Sequence, residues 1–166
     1  VYDSIDDFYL FKMDSDLNKV SLAYSHSNQE VISIAKSDNK KFGFGFKGDE
    51  AKLKNLILIL CNHKNLLDET ITKPIELIEL LTTSDIQNKK YKIQFGCKTN
   101  LVAYILASLK KSIPKLTNAN IDRCGYFFTE NGIKISQSLL SNSKSNNPLS
   151  KQTKEEIDNY FKENGI

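Results

Sequence analysis

The chain has 166 residues, 40% of them hydrophobic and 26% charged, with a formal net charge of +3. These proportions are those of a globular protein, and a fold of this size buries roughly 70% of its extended surface, so no disulfide or metal staple is needed. No apolar run approaches the eighteen or so residues of a membrane span, which argues against a membrane protein.

Three cysteines (Cys61, Cys97 and Cys124), odd in number and without a CxxC pair, point to reduced thiols and a cytoplasmic location. The chain opens at Val1 without methionine, which leaves room for a removed leader or an upstream domain. Charge is divided unevenly. Residues 89 to 154 hold twelve basic side chains against two acidic ones, Asp122 and Glu130, a net of +10. The rest of the chain then holds eleven basic and eighteen acidic residues, a net of −7. A basic surface favours a polyanion as partner. Nearly all of this charge is lysine, a point charge, with Arg123 as the single arginine.

In chain order, residues 1–40 form an acidic N-terminal region. Asp3, Asp6, Asp7, Asp14 and Asp16 surround the run Phe8 to Phe11. Strands are expected at Val20 to Tyr24 and Val31 to Ala35. A first strand–helix–helix unit is expected over 41–88. Phe42, Phe44 and Phe46 alternate as in a half-buried strand. Asp49 suits the N-cap of a helix carrying Leu53, Leu56, Ile57 and Leu60. Pro74 sits early in a second helix with Ile75, Ile78 and Leu81 on its apolar stripe.

The order repeats in a basic second unit over 89–150. Tyr91, Ile93 and Phe95 alternate with Lys and Gln. Thr99 or Asn100 can cap a helix bearing Leu101, Ile105 and Leu109, with Val102 and Leu106 on its flank. Asn118 or Asn120 can cap another, with Ile121, Cys124 and Phe128. Thr129-Glu130-Asn131-Gly132 is a turn signal. Ser136 can then cap a short third helix through Leu139 and Leu140, followed by a mobile Ser/Asn-rich loop, Ser141 to Ser150. Over 151–166 a C-terminal helix follows, with Thr153 and Glu156 as a capping box and Ile157, Tyr160 and Phe161 facing inward.

Few residues offer catalytic or metal chemistry. Gly43, Gly45 and Gly48 match GxGxxG, but the segment before them, Asp38 to Lys41, is polar where a nucleotide-binding loop needs a buried strand. Cys61, His63, Cys97 and Cys124 lack the tight pairing of zinc ligands, so no metal and no cofactor is expected. The N-terminal aspartates suggest a solvated acidic face rather than a two-metal site. With His26 and His63 the only histidines, general-base options are few, and a non-enzymatic protein is expected. The basic unit carries the functional signal. A helix pair followed by a short third helix has the form of a helix-turn-helix core. On this reading Lys89, Lys90, Lys98, Lys110, Lys111, Lys134, Ser136, Gln137, Ser138, Ser141, Asn142 and Lys144 face DNA phosphates and bases. In the competing reading the same lysines meet an acidic protein partner, or are hidden in a homodimer.

The segments LKNLILILCNHKNLLDE, KYKIQFGCKTNLVAYILASL and IDRCGYFFTENGIKISQSLLSNSKS resemble small Bacteroidetes proteins associated with mobile elements, of unassigned function. The second half is also similar to the C-terminal portion of RteC-like regulators of conjugative-transposon excision, a winged-helix-type DNA-binding domain. That resemblance implies a regulatory DNA-binding role. The expected fold is α+β, mainly helical, built from two strand–helix–helix units, the second resembling a helix-turn-helix or winged-helix core.

Overall fold

The computed structural model describes residues 41–87 and 89–166. The acidic N-terminal region and its two expected strands lie outside them. The described residues are mainly helical, with six helices and one two-stranded parallel sheet. No helix among them is long and apolar enough to cross a membrane.

Helix α1 (Glu50–Lys64) starts where the Asp49 carboxylate accepts from the N–H groups of Ala51 and Lys52. Its buried face is Leu53, Leu56, Ile57, Leu60 and Cys61, and it ends at Asn65, which takes the left-handed conformation at φ 48°. Helix α2 (Pro74–Thr82) begins with proline at the position that lacks a partner for its N–H anyway, and Glu76 accepts from the Lys73 N–H. Its inward residues are Leu77, Ile78, Leu80 and Leu81; Ile75, placed on the stripe by periodicity, is 48% exposed.

The expected strand over Phe42 to Phe46 does not form. This segment runs beside the end of α2 instead. The Gly45 and Phe46 N–H groups donate to the Thr83 and Leu81 carbonyls at 3.0 Å, and Ile86 N–H donates to the Phe42 carbonyl. A side chain at Gly43 would place its Cβ 2.4 Å from the Thr83 carbonyl oxygen. Close backbone approach explains that glycine without a nucleotide.

The sheet pairs β1 (Ile93–Gln94) in parallel with β2 (Phe127–Phe128). Parallel neighbours need a long crossover, and α3 (Thr99–Leu109) and α4 (Asn118–Cys124) provide it. Chain segments extend the pairing on both sides. Leu67 bridges Phe95 antiparallel on one side, and Lys134 bridges Phe128 on the other. Gln94, expected on a solvent face, is therefore only 6% exposed. Its N–H donates to Thr72 Oγ1, its carbonyl accepts from Asp68, and its side-chain amide donates to the Glu130 carbonyl.

Phe127 sits at the centre of the core. Its ring stacks on Phe95 at 6.0 Å and 8°, and meets Phe44 edge-on at 6.0 Å. One continuous apolar cluster runs from Phe44 to Phe161. Phe128, expected on a helix, lies instead in β2, because Gly125 takes the left-handed conformation and ends α4 at Cys124.

The cap of α4 is Thr117 and that of α3 is Lys98, in place of the asparagines and threonine expected there. The turn at Thr129–Gly132 forms as expected, closed by Gly132 N–H on the Thr129 carbonyl. Ser136 caps α5, which runs over Gln137–Asn146 and takes in much of the segment expected as a loop. Helix α6 (Lys151–Asn164) opens on Ser150, not on a Thr153–Glu156 box, since Glu156 pairs with Lys64 of α1. Helix α5 packs on α3 and α4, while α6 packs on α1 and α3.

Phe127→Ala removes the ring that joins three segments. It is expected to lower stability by about 3–5 kcal/mol, read as a shifted denaturation midpoint. A loss below about 1 kcal/mol would show that this ring does not hold the sheet to its surroundings.

Candidate nucleic-acid interface

Within the basic stretch, only Lys151 has a carboxylate within 4.0 Å among the described residues, its neighbour Glu155. Three other cations lie over aromatic rings. Lys89 is over Tyr91, Lys92 over Phe128, and the lone guanidinium of Arg123 over Phe42 at 5.3 Å.

The fold sorts the predicted residues into four places. Lys89 and Lys90 precede β1 beside Tyr91 and Tyr126, and the Tyr126 hydroxyl donates to the Lys89 carbonyl. Lys110 and Lys111 follow the C-terminal end of α3, whereas Lys98 caps its start. An eleven-residue helix separates the two ends by about 16 Å. Lys134, Ser136, Gln137 and Ser138 gather at the start of α5, and Asn142 and Lys144 project further along it.

Lys98 and Lys144 come to the same region. Three adjoining recesses share Asn100 and Pro148, two of them about 470 and 490 Å³ in volume. They lie among the start of α3, the end of α5 and the start of α6. Lys98, Lys144 and Lys154 line them, and none of these lysines has a carboxylate partner among the described residues. Glu130 is the one acid there. The Asn100 side chain donates to the Asn147 carbonyl, fixing the turn between α5 and α6 against α3. The Tyr104 hydroxyl donates to the Asp158 carboxylate, fixing α3 against α6. Burial and that hydrogen bond push the Tyr104 pKa up to about 12, so it remains a donor.

The start of α5 differs. Its first N–H, on Gln137, donates to Asp122 Oδ2 at 2.9 Å, and Ser136 Oγ accepts from Leu139 N–H. A carboxylate thus already occupies the place where a helix start would favour a phosphate. The start of α3 has no side-chain cap and carries Lys98, and so presents positive potential toward the recess.

Asn100 and Lys154 also line these recesses. By sequence Asn100 is a candidate helix cap, and Lys154 stands on a separate helix. Only the packing of α6 on α3 brings Lys154 to the recess that Lys144 lines.

No group of three or more His, Cys, Asp and Glu side chains suited to a metal occurs among the described residues. Cys61 and Cys97 are buried, and Cys124 is half-buried with its thiol donating to the Ile121 carbonyl. Burial foremost, then the charge of Glu69, raises the Cys61 thiol to about 11. Burial, then Glu130, raises Cys97 to about 12. Because the thiolate is the nucleophile, a pKa three or more units above pH 8 leaves at most about one thiol in a thousand reactive. Alkylation of the native protein at pH 8 is therefore expected to spare Cys61 and Cys97, with all three cysteines modified in denaturant. Rapid native labelling of Cys61 or Cys97 would contradict their placement in the core.

Residues 3–163 match the model of DUF6617, a family of unknown function, and the chain belongs to that family. Neither the curated proteins nor the solved structures yield a match.

Proposed function

We propose that this DUF6617 protein is a non-enzymatic, regulatory DNA-binding protein that meets duplex phosphates through the lysines of its basic stretch, Lys98 and Lys144 foremost. One observation carries this reading: eleven of the twelve cations between residues 89 and 154 have no carboxylate partner among the described residues. Surface lysines that only balance neighbouring acids would be paired more often. Lysines that line recesses without a carboxylate partner among the described residues, with one acid there, suit an external polyanion.

On this reading α3, α4 and α5 are the counterpart of a three-helix DNA-binding core. The second and third helices are joined by twelve residues, 125–136, containing β2 and its following turn. A helix-turn-helix would have only three or four there. The longer connection keeps α5 packed on both partners while its other face is open. No acidic residue occurs on α5 itself, and the Asp122 carboxylate at its start accepts from the Gln137 N–H.

The test is the affinity of the full chain for a DNA duplex, measured between about 50 and about 200 mM salt. The logarithm of the affinity is expected to fall linearly with that of salt, by about 0.9 for each phosphate neutralised. The double variant Lys98→Ala, Lys144→Ala is expected to flatten the slope by about 2. Absence of binding at the lowest salt would overturn the reading, and capture of an acidic protein instead would move the lysines to a protein interface.

A further inference from the structure

We propose that Gln137 and Asn142 are the residues through which α5 selects DNA sequence, by pairing with adenine edges. The inference rests on the DNA-binding reading above and adds to it a specificity that phosphate contacts cannot supply.

The argument is one of elimination along the open face of α5. The hydroxyls of this face are engaged within the protein. Ser136 and Ser138 bond to each other at 3.0 Å, Ser141 donates to the Gln137 carbonyl, and Ser145 donates to the Ser141 carbonyl. Lys144 is a point charge suited to phosphate. Ser143 is half-buried and lines a recess, and Asn146 is the last residue of the helix, adjoining the Asn147–Pro148 turn. Of the amides before that end, Gln137 and Asn142 remain. Both are exposed, and neither side-chain amide has a hydrogen-bond partner among the described residues.

An amide offers a donor and an acceptor side by side, the complement of the N6 and N7 groups that adenine shows in the major groove. The two residues are five positions apart, about 7.5 Å along a helix axis, close to two base-pair steps of about 3.4 Å each. The turn per residue places them on opposite flanks of the exposed face, with the serines between. The Gln137 end is held by the Asp122 carboxylate and the Ser136 cap, and Asn142 directly precedes Ser143 and Lys144, which line the adjoining recesses. The helix is thus fixed at one end and flanked by phosphate-binding charge at the other, which would set its register on a duplex.

The experiment is selection from a duplex pool with a randomised centre, using the full chain and the single variants Gln137→Ala and Asn142→Ala. Both residues are exposed, so unchanged melting temperatures are expected and confirm that the variants fold. The wild type should enrich sites with adenines two to three base pairs apart. Each variant should relax the preference at one of the two positions by roughly ten- to a hundred-fold, with the salt slope unaltered because no phosphate contact is lost. Retention of duplex without enrichment, or enrichment that both variants preserve, would overturn this assignment and leave phosphate binding standing. Failure to retain any duplex would overturn both.

Discussion

Everything that positions the basic surface depends on the pairing of β1 with β2 through Phe127. The sheet has only two residues per strand, too few to be stable by its ladder alone. It persists because its rings are shared: Phe95 from one strand stacks on Phe127 from the other, and Phe44 closes the edge. The Leu67 and Lys134 bridges then occupy the two outer edges. Once β1 and β2 are parallel, the intervening chain must cross over as α3 and α4, and α5 must pack back upon them. The adjoining recesses lined by Lys98, by Lys144 and by Lys154 are the seam left by that crossover.

Charge acts as a second constraint on this frame. Lysines desolvate poorly, so they stay at the seam and along helix ends rather than entering the core. The starts of α3 and α5 differ in their surroundings. The start of α5 is filled by the Asp122 carboxylate and the Ser136 hydroxyl, whereas that of α3 carries Lys98 and no side-chain cap. At the second, Asn100 Oδ1 accepts from the Leu101 N–H, and no carboxylate is bound there among the described residues. The same seam is braced by the Tyr104–Asp158 and Asn100–Asn147 hydrogen bonds, so its cations are held by a packed scaffold rather than by a loose loop.

Much of the helical content was legible because its signals are local. Asp49, Pro74 and Ser136 mark helix starts through groups within one turn, and the 3.6-residue stripe of Leu53, Leu56, Ile57 and Leu60 points to a single face. Strand and loop assignments fared worse, since their partners are distant in sequence. Phe42 to Phe46 has the alternation of a strand, but its backbone meets the end of α2 instead of another strand. Gln94 looks solvent-facing until the Leu67 bridge and Thr72 cover it. Ser and Asn between 141 and 146 suggest a loop because they are weak helix formers, and packing of Leu139 and Leu140 on α3 and α4 overrides that preference. The charge map was legible by counting, whereas the approach of Lys154 to the recess lined by Lys144 needed the docking of α6.

The most direct measurement of the account is the set of backbone amide shifts of the full chain as a DNA duplex is added. If the seam is the contact surface, the largest changes fall at Lys98 to Asn100, along the open face of α5 and at Asn147 to Lys154. The exposed side of α1 and α2 around Leu58 and Ile75 stays unchanged. Changes centred on α1 and α2, or none at the seam under saturating duplex, would contradict it.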